Sequence, residues 1–256
     1  MCLVVVAWQA HPDYRLILAG NRDESHRRPT QDAHWWVDMK SILAGRDLQA
    51  GGTWLAISKS GRFATVTNFH EDQRSKTSLE SRGALVTEYV GGSQSLRAFE
   101  SSISVERYAG FSLLASDGDS MSYLSNRDEL EADLAPGIYG LSNASLDTPW
   151  SKVVRARARL TSLIENNTVN ETELMRLLAD RKPAAVSEIT NEELPFEIAR
   201  AISAPFIVAP EYGTRSSTTL LWSRDDVIEF CERRFDADGE AMGESRFRFV
   251  VSERCP

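Results

Sequence analysis

Cys2 and the tetrapeptide Asn21-Arg22-Asp23-Glu24 carry the densest chemistry in the chain: a thiol, an amide, a guanidinium and two carboxylates. An initiator Met before a residue as small as Cys is readily removed, which would give Cys2 a free α-amine beside its thiol. An α-amine with a pKa of roughly 7.7–8 can take up and return a proton near neutrality. A thiol with a pKa of about 8.5 is already partly ionised and strongly nucleophilic. Nucleophile and base would then be fixed together by the covalent geometry of one residue. Asp23 is expected to orient the ammonium form. Arg22 is expected to lower the thiol pKa or to grip a substrate carboxylate.

The elements around these residues must bring them together. Residues 3–8 are an unbroken apolar run, His11-Pro12-Asp13 is turn-forming, and residues 16–19 are a second apolar run. This pattern predicts an antiparallel hairpin. Paired residue numbers in a hairpin add to a constant. A turn near Pro12 makes that constant about 24, so Cys2 should face a residue close to Arg22. Residues 25–38, with Trp35-Trp36, read as a loop. A second hairpin is expected from residues 51–57 and 63–68 around Lys59-Ser60-Gly61, ending at Asn68, and the two hairpins are expected side by side.

A charged, Ser-rich connection over 71–82 leads to helices over 83–90 and 95–103, then to a hairpin of 111–115 and 121–124 around Asp117-Gly118. Residues 137–143 form a short strand or loop ending in Asn143. Asp147 or Thr148 should cap a helix running to Ile164, and Asn170, with Glu173 as its capping-box partner, a helix to Leu178. A weaker helix over 191–203 is interrupted by Pro195. Strands are expected over 218–222, 227–233 and 246–251, giving one sheet system built from both chain ends. The N-R-D-E string recurs at 126–129 with different flanks, which reads as coincidence.

Composition bounds the alternatives. The 256 residues are 42% hydrophobic and 26% charged, which suits a globular protein, read here as one domain over 1–256. A net charge of −8 argues against a general binder of nucleic acid or anionic membrane. Three cysteines, at 2, 231 and 255, suit free thiols in a reducing compartment, and a cytoplasmic location is expected. No stretch is apolar for long enough to predict an integral membrane segment. His11, His26, His34 and His70 lack ligand spacing, so no metal is expected. Arg155 and Arg159, one helical turn apart, read as a solvated face. Nothing in the sequence fixes an oligomeric state.

The segments M-C-L-V-V-V-A-W, A-G-N-R-D-E-S, G-G-T-W-L-A-I-S with its return strand ending T-N-F, G-I-Y-G-L-S-N-A and G-T-R-S-S-T resemble, in order, the NRDE family. It is also called the transport and Golgi organisation protein 2 family. That family is similar to the N-terminal nucleophile hydrolases of the choloylglycine hydrolase and penicillin V acylase type. The resemblance implies an α/β fold, a four-layer α/β/β/α sandwich of two largely antiparallel sheets. It also implies amide cleavage by an N-terminal Cys. Carried across, Cys2 is the nucleophile, Asp23 the carboxylate against its amine, and Asn68 and Asn143 the oxyanion donors. Arg215 matches a late Arg of those hydrolases. One departure is Gly20, where the hydrolases carry an Arg three residues before the Asp; Arg22 is adjacent to Asp23 instead.

Asn21, Arg22, Glu24, Arg215 and Trp54 are expected to contact substrate, with Trp35, Trp36, Trp54 and Phe69 as candidate pocket aromatics. The expected function is hydrolysis of a C–N amide bond in a small, partly apolar molecule without a cofactor. The family also implies an alternative on the same fold: a non-catalytic carrier of haem or of lipid and acyl-coenzyme A.

Overall fold

The computed structural model describes residues 2–69, 79–128, 131–189 and 195–252. Most of the 71–82 connection, His70, Cys255 and the start of the 191–203 helix lie outside the described residues. The elements in chain order are β1 (Cys2–Trp8), β2 (Tyr14–Ser25), β3 (Thr30–Trp35), β4 (Ile42–Asp47), β5 (Leu55–Ser58) and β6 (Phe63–Asn68). Then come α1 (Arg82–Gly91), α2 (Leu96–Ser102), β7 (Phe111–Ser116), β8 (Met121–Ser125), β9 (Glu131–Asp133) and β10 (Gly137–Leu141). The chain continues with α3 (Ser151–Glu165), α4 (Glu171–Leu178), α5 (Phe196–Ile202), β11 (Tyr212–Ser223), β12 (Val227–Phe235) and β13 (Ala241–Val250).

The chain divides into two compact units. The first holds Met1–Arg27, Pro136–Ser142 and Asp147–Arg248; the second holds Arg28–Ala135, Asn143–Leu146 and Phe249–Pro256. The first is built on a six-stranded sheet in the order β10-β1-β2-β11-β12-β13. Residues 3–6 of β1 are wholly buried, which is why the strand reads as a continuous apolar run rather than an alternating one. Leu3, Val5 and Ala7, with Ile17 and Ala19 of β2, share one core with Val153, Ala156 and Leu160 of α3 and Leu174 and Leu178 of α4. That face of the sheet therefore carries the helices. The second unit is a seven-stranded sheet, β3-β4-β5-β6-β7-β8-β9. Its core joins Ile42, Ala56, Ala64 and Leu113 to Leu85, Val86 and Tyr89 of α1 and Phe99 of α2.

The architecture is thus α/β, with two largely antiparallel sheets, each backed by helices. Several elements differ from expectation. The two N-terminal hairpins do not share a sheet: β1–β2 belongs to one, β5–β6 to the other, and β2 has β1 and β11 as its neighbours. The 25–38 stretch contains β3, an edge strand with a register shift between Gln31 and His34, in which Ala33 is the buried residue. So little burial leaves no apolar run to read. Among the described residues, six strands precede α1, because β3 and β4 join the two expected hairpins. β11 starts six residues before the expected strand, because that first half carries buried polar residues, including Thr214, Ser216 and Ser217. Asp147 does not cap α3. Its Oδ1 accepts from the Gly140 N–H at 2.7 Å and pairs with Arg157 at 3.1 Å, and the helix starts at Ser151 without a side-chain cap. Asn170 does cap α4, accepting from the Glu173 N–H at 3.0 Å.

Candidate active site

The β1–β2 ladder pairs Cys2 with Arg22, Leu3 with Asn21 and Val4 with Gly20, the register that the hairpin arithmetic predicts. Directly paired residues project to the same face, and neighbours along a strand alternate. Arg22 and Glu24 therefore share the face of Cys2, whereas Asn21 and Asp23 project to the helix side with Ile17 and Ala19.

Asn21 is 0% exposed. Its Nδ2 donates to the carbonyls of Leu178 at 2.9 Å and Pro205 at 2.8 Å, and its Oδ1 accepts from the Ser217 hydroxyl at 2.6 Å. Both amide donors are thus committed inside the protein. This corrects the expected substrate contact: Asn21 is a staple joining β2, β11, the end of α4 and the segment after α5.

Asp23 is buried and pairs across the ladder with Thr214, whose hydroxyl donates to Asp23 Oδ1 at 2.7 Å. The Ile207 N–H donates to the same hydroxyl at 2.8 Å, and Tyr212 Oη donates to the Asp23 carbonyl at 2.8 Å. Loss of water raises the Asp23 pKa to about 6, against the lowering effects of the terminal ammonium of residue 1, Lys152, the Thr214 hydrogen bond and Arg22. The fold therefore holds the Asp23 proton more tightly than an unfolded chain does. This group's contribution to stability is complete below about pH 4 and is lost as the pH rises through about 6, by an amount on the order of 3 kcal/mol. Asp23→Asn cannot titrate, so the stability of this variant relative to wild type should grow between pH 4 and pH 7. Urea titrations at both pH values test this, and an unchanged or falling difference contradicts it.

Cys2 is half-buried, and the Ser142 hydroxyl donates to its carbonyl at 2.6 Å, tying the strand end to the residue after β10. Desolvation is the largest influence on the thiol and raises its pKa. The terminal ammonium of residue 1, an N–H donated by Asp23 and the Arg22 guanidinium pull it down, while the Asp23 charge adds to the rise. Arg22 acts on the thiol in the expected direction, but burial outweighs it. Cys231 is more deeply buried and is pushed up to about 12, chiefly by desolvation and then by Glu171. Iodoacetamide at pH 7.5 should therefore label Cys2 at least roughly tenfold faster than Cys231. Equal rates would show that Cys2 is no more available than a core thiol.

Arg22 is buried with its guanidinium 3.7 Å from Glu24. A register shift between Thr214 and Ser216 takes Arg215 out of the ladder, and its Nη1 donates to the carbonyls of Ser25 at 2.8 Å and His26 at 3.2 Å. Burial and the nearby Arg22 charge lower the Arg215 pKa, while Glu24 opposes them.

Asn68, Asn143 and Trp54 belong to the second unit. Asn68 ends β6 opposite Phe111, and Asn143 Nδ2 donates to its carbonyl at 2.7 Å. The 143–146 loop is pinned by Ser145 to Asp128 at 2.7 Å and by the Leu146 N–H to Tyr123 Oη at 3.2 Å. Tyr123 in turn donates to Asp128 at 2.8 Å. Asp128 comes from the second N-R-D-E string, as does Asn126, whose Oδ1 accepts from the Phe111 N–H at 2.9 Å. The repeat therefore has a structural use. Trp54 is half-buried just before β5, and its carbonyl accepts from the Val66 N–H at 2.8 Å. Trp36 is a core residue with Nε1 on the Ala44 carbonyl, and Trp35 packs edge-on against Phe249. Arg155 and Arg159 pair with Asp180 and Glu173, as suits a solvated face.

Lys152 was not legible as a site residue. It is 2% exposed and lies on the apolar stripe of α3 with Ala156, Leu160 and Leu163. A lysine at a stripe position is the signal that could have found it, because burial of an ammonium is costly unless it is paired.

Among the described residues, no helix is long and apolar enough to cross a membrane. The fold is similar to that of a mutant of conjugated bile acid hydrolase from Clostridium perfringens, with a TM-score of 0.51 and 9% identity, over 100% of this chain and 94% of that one. Two antiparallel sheets backed by helices, with a Cys at the start of the first strand, make this an N-terminal nucleophile hydrolase-like protein in fold. In sequence, the Transport and Golgi organisation 2 family profile matches residues 1–237. The Transport and Golgi organization protein 2 homologs of Bos taurus and Homo sapiens are each 33% identical to it, over 91% of this chain and 92% of each relative. The chain belongs to the Transport and Golgi organisation 2 family.

Proposed function

We propose that the protein is an N-terminal Cys amidohydrolase acting on a small, partly apolar amide. The observation that carries this reading is the placement of Asp23. It is a buried carboxylate one register step past the Cys2–Arg22 pair, fixed by Thr214 and adjacent to the Cys2 thiol through its own N–H. Burying a carboxylate at a strand end serves no packing purpose, but it suits a site where an α-ammonium forms.

With Met1 removed, Cys2 Sγ attacks the amide carbonyl as its proton passes to the α-amine. The new S–C bond pushes the carbonyl electrons onto oxygen, the charge that neutral hydrogen-bond donors in such a site stabilise. Collapse breaks the C–N bond, and the α-ammonium returns its proton to the leaving nitrogen. Water then attacks the thioester with the α-amine as base, releasing the acid and restoring the thiol. Asp23 stabilises the ammonium stage. Arg22, Arg215 and Glu24 supply charges for the polar ends of the substrate.

The test is incubation of Met1-free protein with a panel of N-acyl amino acids and related amides, measuring the amine released. Release from at least one panel member is expected. No release, together with retention of haem or acyl-coenzyme A that is unaffected by Cys2→Ala, would support the carrier reading instead.

A further inference from the structure

A cavity of 290 Å³ opens in the first unit between α5, the stretch after α4 and the segment that follows α5. Its volume is close to the lower end of the roughly 300–1,000 Å³ usual for small-molecule sites. The segment 204–208 divides it from the sheet. Ala204, Phe206 and Val208 line the cavity, and the residues between them serve the sheet. The Pro205 carbonyl accepts from Asn21, while Ile207 donates its N–H to the Thr214 hydroxyl and accepts from the Thr214 N–H at 2.9 Å. Asn21 and Thr214 project to the helix side. The cavity therefore stands behind the sheet, away from the face of Cys2, Arg22 and Glu24.

Arg181 is fixed in the cavity wall. Its guanidinium lies over the Phe206 ring, 4.9 Å from the centre, and its Nη2 donates to the Gly239 carbonyl at 2.7 Å. Phe206 is buried and packs edge-on against Phe235. Gly239 turns at φ +75°, and a Cβ there would come within 3.0 Å of both Arg181 Nη2 and Phe206 Cε1, so the approach needs glycine. Stacking and one hydrogen bond orient the guanidinium and leave most of its five donors unused. Among the described residues, neither Arg181 nor Arg200 is paired with a carboxylate, whereas Arg155, Arg159 and Arg246 each hold an acid. Glu197 is the one acid among the described lining residues, so two arginines against one glutamate leave a net positive charge.

We propose that this cavity binds a small monocarboxylic acid with an aromatic or branched apolar body. Arg181 and Arg200 take the carboxylate, and the body rests on Phe206, Ala201 and Ala204. A guanidinium offers a carboxylate two parallel N–H donors, and an apolar floor that excludes water strengthens the pairing. A single excess positive charge suits a monoanion. A phosphate dianion would overfill it and meet Glu197. Occupancy of the cavity requires no turnover at Cys2.

The test is calorimetric titration of the full-length protein with phenylbutyrate, its neutral amide phenylbutyramide, and phenyl phosphate. Phenylbutyrate should bind roughly tenfold or more tightly than the amide, and more tightly than phenyl phosphate. Arg200→Gln, at an exposed helix position, should weaken phenylbutyrate about tenfold and leave the amide unchanged. Arg181→Gln should do the same, and Arg181→Lys, which keeps the charge but not the fork, should recover only part of the loss. Ala201→Trp fills the cavity from the half-buried side of α5 and should abolish binding of both acid and amide. Alkylation of Cys2 should leave the affinity for phenylbutyrate as it was, which separates this cavity from the Cys2 face. Equal binding of acid and amide, tighter binding of phenyl phosphate, or no binding of phenylbutyrate overturns the proposal. So does an affinity that survives Arg200→Gln, Arg181→Gln and Ala201→Trp, or one that is lost on alkylation of Cys2.

Discussion

In Met1-free protein, Cys2→Ala should lower amide turnover by roughly 10⁵–10⁶-fold, the scale of loss when an enzyme loses its only nucleophile. No other described thiol can substitute, because Cys231 is a core residue with its pKa pushed up to about 12. The fold should survive. Cys2 is half-buried at a strand end, and Ser142 holds it through its main-chain carbonyl, which Ala retains. Substrate affinity should change by only about 1–2 kcal/mol, the worth of a single lost contact. Turnover assays with equilibrium binding on the same preparation separate the two effects. A variant that retains more than about a hundredth of the wild-type rate would exclude thiol attack as the main route, since losing the only nucleophile should cost far more.

Asn21→Ala should destabilise the protein by about 3–5 kcal/mol, the largest stability effect expected within the N-R-D-E string. The substitution removes partners from the Leu178 carbonyl, the Pro205 carbonyl and the Ser217 hydroxyl, all on one wholly buried side chain. Each orphaned buried polar group costs about 1–3 kcal/mol, and some relaxation or water entry will recover part of the sum. Asn21→Asp should also destabilise, because it exchanges a two-fold donor for an acceptor facing two carbonyls. Urea unfolding at pH 7 measures both. A loss under about 1 kcal/mol for Asn21→Ala would mean that these bonds do not hold the helix layer to the sheet.

The N-R-D-E string shows what the sequence could and could not convey. The register of Cys2 against Arg22 was legible, because two apolar runs around a short turn leave one pairing. The string itself read as one cluster, with Asp23 as the carboxylate against the Cys2 amine and Asn21, Arg22 and Glu24 as substrate contacts. Strand alternation divides it, sending Arg22 and Glu24 to the face of Cys2, and Asn21 and Asp23 to the helix side. The sequence does not show which face is helix-covered, since β1 is apolar on both. The polar half of β11 was missed for a related reason: its Ser217 and Thr214 hydroxyls serve the buried Asn21 and Asp23 side chains, and burial of that kind leaves no hydrophobic period. β3 lacked the signal because it is an exposed edge. Lys152 did leave a trace, as a charge on an otherwise apolar helix stripe. The use of Asp128 from the second N-R-D-E string to pin the Asn143 loop depends on tertiary contacts that no spacing encodes.

The central claim is that Cys2, once first in the chain, becomes acylated by an amide. The most direct measurement is the intact mass of Met1-free protein quenched in acid during turnover of the best panel substrate, followed by mapping of the N-terminal peptide. The account predicts a mass increase equal to the acyl group, carried by Cys2 as a hydroxylamine-sensitive thioester and absent from Cys2→Ala. Amine release from wild type with the acyl group on any other residue, or release undiminished in Cys2→Ala, would contradict it.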